Sequence, residues 1–387
     1  MSSTNLKRID WKRDEIIRFM NRILILNFPG NPDKHRLFLI RYFLERNGFV
    51  ISILTNDLWQ DETFRIELAK KPWLLLGFSL NYLKYLRRMI ASVNRGNFEF
   101  ILIGYPALID LAIIRLCFPS LKDRLYIDYF LSFYDTIVAD RQLYQPTSPM
   151  AKLILTVEKV FLRLSPHIIV DTNANARRYQ QMFRLKTSRW HRILVGSRLL
   201  TEAMEQPSNQ SALVGRLKIG WVGAFIPLHG IEIILQTAEK LKDEPVEFYL
   251  IGDGQEFPRA AEFIAKRKLE RVSLVGRLPF EAAMEMLSTC DICLGIFGKS
   301  AKAGAVIPIK IFDYLCLGKW IITQKSVAFD ELPPLDRLIQ IDNNPDELCR
   351  AIHQIIETHD MAIHQTSRQI LQNLISNDVR STFKAID

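Results

Sequence analysis

Short apolar runs that end in a turn residue and lead into an amphipathic stretch recur along most of this chain, and that alternation restricts the fold more than any other feature. "RILILNF" (22–28) is followed by Pro29-Gly30, then by "DKHRLFLIRYFLERNGF", then by "VISILTND" (50–57). Strand, loop, helix and strand in that order, with Gly48 closing the helix, describe a βαβ unit, and βαβ units build parallel sheets. "FEFILIGYP" (98–106), "RLYIDYF" (124–130) and "PHIIVDT" (166–172) carry the pattern onward. It restarts at residue 217. There "LKIGWVGAF" reads as a strand with a glycine turn and "GIEIILQTAEKLK" as a helix with apolar spacings of three and four. "VEFYLIGDG", "RVSLVGRLP" and "DICLGIFG" follow as strands separated by helical segments, whereas 197–216, "SRLLTEAMEQPSNQSALVGR", has no strand pattern.

The expected fold class is therefore α/β, with two doubly wound Rossmann-like domains facing a cleft. An N-terminal domain over 1–196 and a linker over 197–216 precede a second domain over 217–345, and a polar helical tail over 346–387 folds back on the first domain. A chain of 387 residues is long for a single core and comfortable for two. Doubly wound sheets bind ligands beyond the carboxyl ends of their strands. The first strand ends in "NFPGNPD" rather than in G-x-G-x-x-G, which disfavours a dehydrogenase.

Composition narrows the partners. Hydrophobic residues at 48% and charged ones at 24% exclude a disordered chain. A net charge of +9 admits an anionic partner. The basic residues are spread along the chain without an RNA-binding or zinc-finger signature, which disfavours nucleic acid as a partner; an anionic lipid surface is equally allowed by the charge, which alone does not choose. Five cysteines, an odd number in a large chain, argue against a disulfide framework and for a reducing cytoplasm. Cys290-x-x-Cys293 has redox spacing but lies in a buried strand pattern. The N-terminus lacks a signal-peptide core. The stretch 64–95 interleaves basic residues with Trp73, Phe78, Tyr82 and Tyr85, which suits an interfacial helix on the inner face of a membrane or a buried helix with lysine stems along its surface.

The segment "AKAGAVIPIKIFDYLCLGKWIIT" (301–323) places Lys310 and Asp313 between a small-residue loop and an apolar strand. Pro308 suits the start of a helix, with Ile309, Phe312 and Cys316 on its buried face and Lys310 and Asp313 together on another. A helix start approached through small residues suits an anion, above all phosphate, with Lys299 and Lys302 adding charge and Asp313 accepting hydrogen bonds from sugar hydroxyls. The competing reading is a surface ion pair three residues apart.

"VIPIKIFDYLCLGKWIIT" resembles the donor-binding signature of family-4 glycosyltransferases of the GT-B fold, Pro-x-Lys-x-(aromatic)-Glu-Tyr-x-x-x-Gly-x-x-(Ile/Val)-Ile. "GWVGAFIPLHGIEIIL", "LIGDG", "SLVGRLP" and "DICLGIFGKSAKA" match in order, so the resemblance covers roughly 217–330 and is similar to a bacterial polysaccharide-type branch. It implies a nucleotide-diphosphate sugar held mainly by the second domain. Asp313 falls where the family has the glutamate that binds the ribose hydroxyls. Ile307 and Pro308 would meet the diphosphate and sugar, and Arg277 and Leu278 the nucleobase. Gly223, Phe225 and His229 belong to the turn beneath the phosphates, and Gly252 to the neighbouring one. Three positions depart from the family: Ala224 replaces an Arg, His229 a Lys and Ala305 a Glu. Lys302 and Lys310 would replace the missing phosphate cations; a catalytically degenerate nucleotide or nucleic-acid binder is the alternative.

The resemblance further implies transfer with retention, a saccharide or polyprenyl-linked saccharide acceptor, and surface polysaccharide assembly. No D-x-D motif occurs, so amides, lysines and a helix dipole are expected to serve in place of a metal, and no cofactor is expected. His229 would donate to a phosphate, the alternative being a turn histidine satisfied by backbone. Asp128, at the end of "LYID", is the candidate for catalysis or sugar binding in the first domain, the alternative being a structural ion pair. Gly30 would let backbone approach the diphosphate, with His35 nearby, the alternatives being a plain turn and a solvated histidine.

Overall fold

The computed structural model describes residues 22–30, 35–56, 74–105, 108–185, 189–201, 216–358 and 366–384. Its first sheet has six strands, β1 (Arg22–Phe28), β2 (Val50–Thr55), β3 (Phe100–Ile103), β4 (Leu125–Asp128), β5 (His167–Val170) and β6 (Arg189–Arg192), in the order β2-β1-β3-β4-β5-β6. The pairs β1·β2, β1·β3 and β3·β4 are parallel. β1, β3, β4 and β5 are buried almost throughout, as parallel strands covered on both faces must be. The helices between them are α1 (His35–Arg46), α2 (Leu74–Arg95), α3 (Leu108–Cys117), α4 (Pro149–Leu162) and α5 (Asn173–Phe183).

The second sheet comprises β7 (Leu217–Val222), β8 (Val246–Ile251), β9 (Val272–Gly276), β10 (Ile292–Leu294), β11 (Trp320–Gln324) and β12 (Leu338–Ile341), ordered β12-β11-β10-β7-β8-β9. Every adjacent pair is parallel. The chain winds outward from β7 through β8 to β9, then crosses back to β10 and continues the other way, so β7 and β10 flank the switch point where doubly wound sheets hold ligands. The helices here are α6 (Ile231–Lys240), α7 (Phe257–Arg267), α8 (Phe280–Ser288), α9 (Ile309–Cys316), α10 (Pro345–Thr358) and α11 (Thr366–Thr382). The core joins Ile219 and Trp221 of β7 to Ile234 of α6, Phe248 of β8, Leu294 of β10 and Ile352 of α10.

The chain divides into two compact units. One comprises Met1–Tyr129, Phe161–Ile168 and Val379–Asp387; the other comprises Phe130–Val160 and Ile169–Asp378. In the first, Phe383 packs against Phe49, Phe100 and Tyr126. Here the aromatic residues of the 64–95 stretch are not lipid-facing where they are described. Tyr85 is buried, and the Tyr82 hydroxyl donates to the buried Asp110 carboxylate at 2.5 Å. Trp73 lies outside the described residues, as does the Phe78 side chain. Among the described residues no helix is long and apolar enough to cross a membrane. Cys290 and Cys293 are free, buried thiols. Burial pushes Cys290 up to about 12 and raises Cys293 as well, which leaves them inert as a redox pair.

Candidate functional site

The carboxyl ends of β7, β8 and β9 are tied together through main chain. Gly223 N–H donates to the Ile251 carbonyl (2.9 Å), Phe225 N–H to Asp253 (3.0 Å) and Gly252 N–H to Gly276 (2.8 Å). Gly252 sits at φ +134°, and a Cβ there would lie 1.9 Å from the Gly223 carbonyl oxygen, so only glycine permits this approach. Gly223 is constrained by side chains instead. Its Cβ would fall 2.6 Å from Lys310 Nζ and 2.9 Å from His229 Nδ1. A strand-end glycine, a lysine from α9 and the turn histidine thus meet at one spot beside the switch point.

Lys310 is buried, and its Nζ has no hydrogen-bond partner. It stands 4.3 Å from the ring centroid of Trp221, whose indole N–H donates to the Gly295 carbonyl beyond β10 at 3.0 Å. Burial pushes the ammonium well below the usual lysine range, while the Asp313 carboxylate pulls the other way. His229 closes the 3-10 turn Pro227–His229 and packs edge-on to Trp221 at 5.8 Å between centroids. Its Nδ1 lies 2.5 Å from the Ala224 carbonyl, which makes Nδ1 the protonated nitrogen, since a carbonyl only accepts. Desolvation, then the Lys310 charge, holds the imidazole well below the ordinary histidine range, so the ring is neutral. The bond is that of a turn histidine satisfied by backbone, and the neutral ring presents an acceptor at Nε2 rather than a donor.

α9 is interior nearly all round. Lys310, Ile311, Phe312, Asp313, Tyr314 and Leu315 are all buried, and Ile309, expected inward, is the exposed one. That removes the surface-pair reading of Lys310 and Asp313. Pro308 is the N-cap, with extended backbone, rather than the first helical residue. The Asp313 carboxylate accepts the Ser197 hydroxyl at 2.5 Å, and burial, against that bond and Lys310, raises it to about 7. The Tyr314 hydroxyl accepts from Val222 N–H at 3.1 Å, fixing α9 to β7.

The geometry separates the sequence candidates. Gly223, His229 and Lys310 come together; Lys302 is buried in the loop before α9, and its charge acts on His229. Gly252 supports Gly223. Arg277 is exposed and Leu278 half-buried in the loop after β9, while Ile307 is buried. Phe225 leaves the set: its ring is fully buried against Trp221 and Phe257, its N–H donates to Asp253, and its carbonyl accepts from Glu256. Asp128 is a correction as well. Arg36 Nε donates to both its oxygens at 2.8 and 2.9 Å in a buried pair, so it is a structural ion-pair partner rather than a free base. Gly30 is exposed just past β1 in the first unit, and the His35 side chain lies outside the described residues. Sequence reasoning missed Trp221, which reads as a core aromatic, and Ser197, which reads as the start of a linker. The π-helical turn Asp135–Asp140 lies against the Pro227–His229 turn.

Two six-stranded parallel sheets of this winding are the GT-B fold of glycosyltransferases. Anabaena HepE, solved with UDP and glucose, shares it with a TM-score of 0.60 at 16% identity, covering 93% of this chain and 96% of that one. Sucrose-phosphate synthase from Thermosynechococcus elongatus also gives 0.60, at 14% identity over 94% and 95% of the two chains. In sequence, residues 216–358 match the family model described as glycosyl transferases group 1. An uncharacterized glycosyltransferase of Methanocaldococcus jannaschii is 26% identical over 143 residues, 36% of this chain and 38% of that protein. A putative colanic acid biosynthesis glycosyl transferase of Escherichia coli is 26% identical over 137 residues, 35% of this chain and 31% of that one. The matched stretch therefore spans well under half the length of these curated relatives.

Proposed function

We propose that this chain is a retaining glycosyltransferase that moves a sugar from a nucleotide-diphosphate donor to a saccharide or lipid-linked saccharide acceptor, in the assembly of a surface polysaccharide. The observation that carries the reading is the Lys310 ammonium, buried without a hydrogen-bond partner beside Gly223 at the switch point. A desolvated cation of that kind is costly unless an anion completes it. A diphosphate does so, and the strand-end glycine leaves room for it. The match of 216–358 to glycosyl transferases group 1 and the UDP bound by the HepE neighbour support the same ligand class.

In this reading Lys310 takes up the charge that develops on the leaving diphosphate as the glycosidic bond breaks, with Lys302 adding positive potential. No metal is assigned a part. His229 gains a proton at Nε2 when the diphosphate arrives and then donates to it. Asp313, released from Ser197 or shared with it, accepts from the ribose hydroxyls. Arg277 and Leu278, at the mouth of β9, meet the base. The sugar leaves and the acceptor enters on one face, which preserves the anomeric configuration and needs no carboxylate nucleophile.

The test is isothermal titration of UDP-, GDP-, ADP- and CMP-sugars into the wild type and into Asp313→Ala, without added metal, followed by product analysis with the donor that binds. One nucleotide sugar is expected to bind selectively and to lose affinity in the variant. A well-folded protein that binds none of them would overturn the assignment.

A further inference from the structure

Helix α4 has three faces, and one of them stays exposed among the described residues. At about 100° per residue, Ala151, Glu158 and Leu162 form the inward face, and all three are buried. Met150, Leu153, Val157 and Val160 line a second face, each 44–55% exposed. Lys152, Thr156 and Lys159 form the third, and Arg163 extends it in the following turn. The loop that leads into the helix exposes Leu143 and Tyr144 as well. A contiguous stripe of large apolar side chains in water marks a surface meant to be covered.

Charge identifies what covers it. Glu158 is the sole acidic residue between Arg141 and Arg163, against the four basic residues Arg141, Lys152, Lys159 and Arg163. That carboxylate is turned inward, where it accepts from the Ser132 hydroxyl at 2.9 Å and from the backbone N–H groups of Phe133 (2.6 Å) and Tyr134 (3.0 Å). The outward faces of α4 therefore carry apolar and cationic groups and no anion. A second copy of the chain seated there would bring each basic strip toward its own like. A bilayer with anionic headgroups instead takes the apolar stripe into its acyl boundary and the lysines among its phosphates.

We propose that α4 is the membrane-docking helix of this protein and that it seats on an anionic lipid surface. This moves the lipid-facing element away from the 64–95 stretch that the sequence suggests. It also places a lipid-linked acceptor and the enzyme on one surface, although the docking itself does not depend on the transferase reading.

The test is flotation of the full chain with phosphatidylcholine vesicles, with and without phosphatidylglycerol, in the absence of donor. The wild type is expected to float only with the anionic vesicles. Leu153→Asp with Val157→Asp should cut partitioning at least tenfold, since both sites are exposed and the change leaves the core untouched. Lys152→Gln with Lys159→Gln should cut it about fivefold per lysine. Val327→Asp, at an exposed apolar site elsewhere, should leave it unchanged. Equal binding by the double-aspartate variant, or no binding of wild type to anionic vesicles, overturns the proposal. A wild-type dimer that this variant converts to monomer would assign the stripe to a second copy and overturn it too.

Discussion

Lys310→Met separates a binding cation from a packing residue because the two roles predict opposite signs. Methionine keeps most of the stem's volume and removes the charge. A charge-assisted hydrogen bond contributes roughly 1.5–3 kcal/mol net, and 1.4 kcal/mol is tenfold. Nucleotide-sugar affinity should therefore fall about ten- to a hundredfold. Stability should move the other way. An ammonium with no partner costs several kcal/mol to bury, offset by about 2 kcal/mol from the Trp221 face 4.3 Å away. The unliganded variant is expected to be about 1–2 kcal/mol more stable, which corresponds to roughly 2–4 °C in melting temperature per kcal/mol. Calorimetric titration with the best donor reads the first effect and urea melts of the ligand-free protein read the second. A variant that is destabilised yet binds donor as tightly as wild type would refute the reasoning, because Lys310 would then be a packing residue held by Trp221.

Further expectations concern the same site. Asp313 has a folded value of about 7 against an unfolded value near 3.8, so its contribution to stability is full below pH 3.8 and lost as pH rises through 7. Urea melts of Asp313→Asn should lack that decline, while donor affinity in the wild type should rise over the same window as the carboxylate ionises. Ser197→Ala strands the buried carboxylate and should cost about 1–3 kcal/mol in the same melts, with the Asp313 titration moved upward. His229 is held below its usual range, so diphosphate binding near pH 6.5 should take up a proton. Calorimetry in buffers of different ionisation enthalpy reads this, and the uptake should vanish in His229→Gln. Gly252→Ala drives a Cβ into the Gly223 carbonyl at φ +134° and should destabilise by at least about 2 kcal/mol in thermal melts.

The fold was legible because βαβ grammar is local. Each strand announces itself by an apolar run and each helix by its spacing, and the restart at residue 217 marks the second sheet. What periodicity leaves open is which side of an element faces water. The spacing in α9 puts Ile309 inward and Lys310 on a second face, open to a ligand or to water. The helix instead lies in the interior, where periodicity cannot separate a polar surface face from a buried functional one. For Tyr82 and Tyr85 the buried-helix alternative holds, since both turn toward Asp110 of the next helix. Ser197 and Arg36 stayed invisible because their partners lie 116 and 92 residues away in sequence. The motif spacing names Gly223, His229 and Lys310, and the fold brings these three together, since close approach of a lysine and a histidine to a strand end requires a glycine there.

The ties among Gly223, Phe225 and Gly252 also bear on how such a protein diversifies. The base of the site is drawn by amide and carbonyl groups common to every residue, so most substitutions cannot redraw it, and the two glycines tolerate almost none. Variation is left to the rim, where Arg277 is exposed and Leu278 half-buried. Under the proposed function, a lineage, or an engineer, that changes the nucleotide would rewrite the edge of this site while its base stays constant.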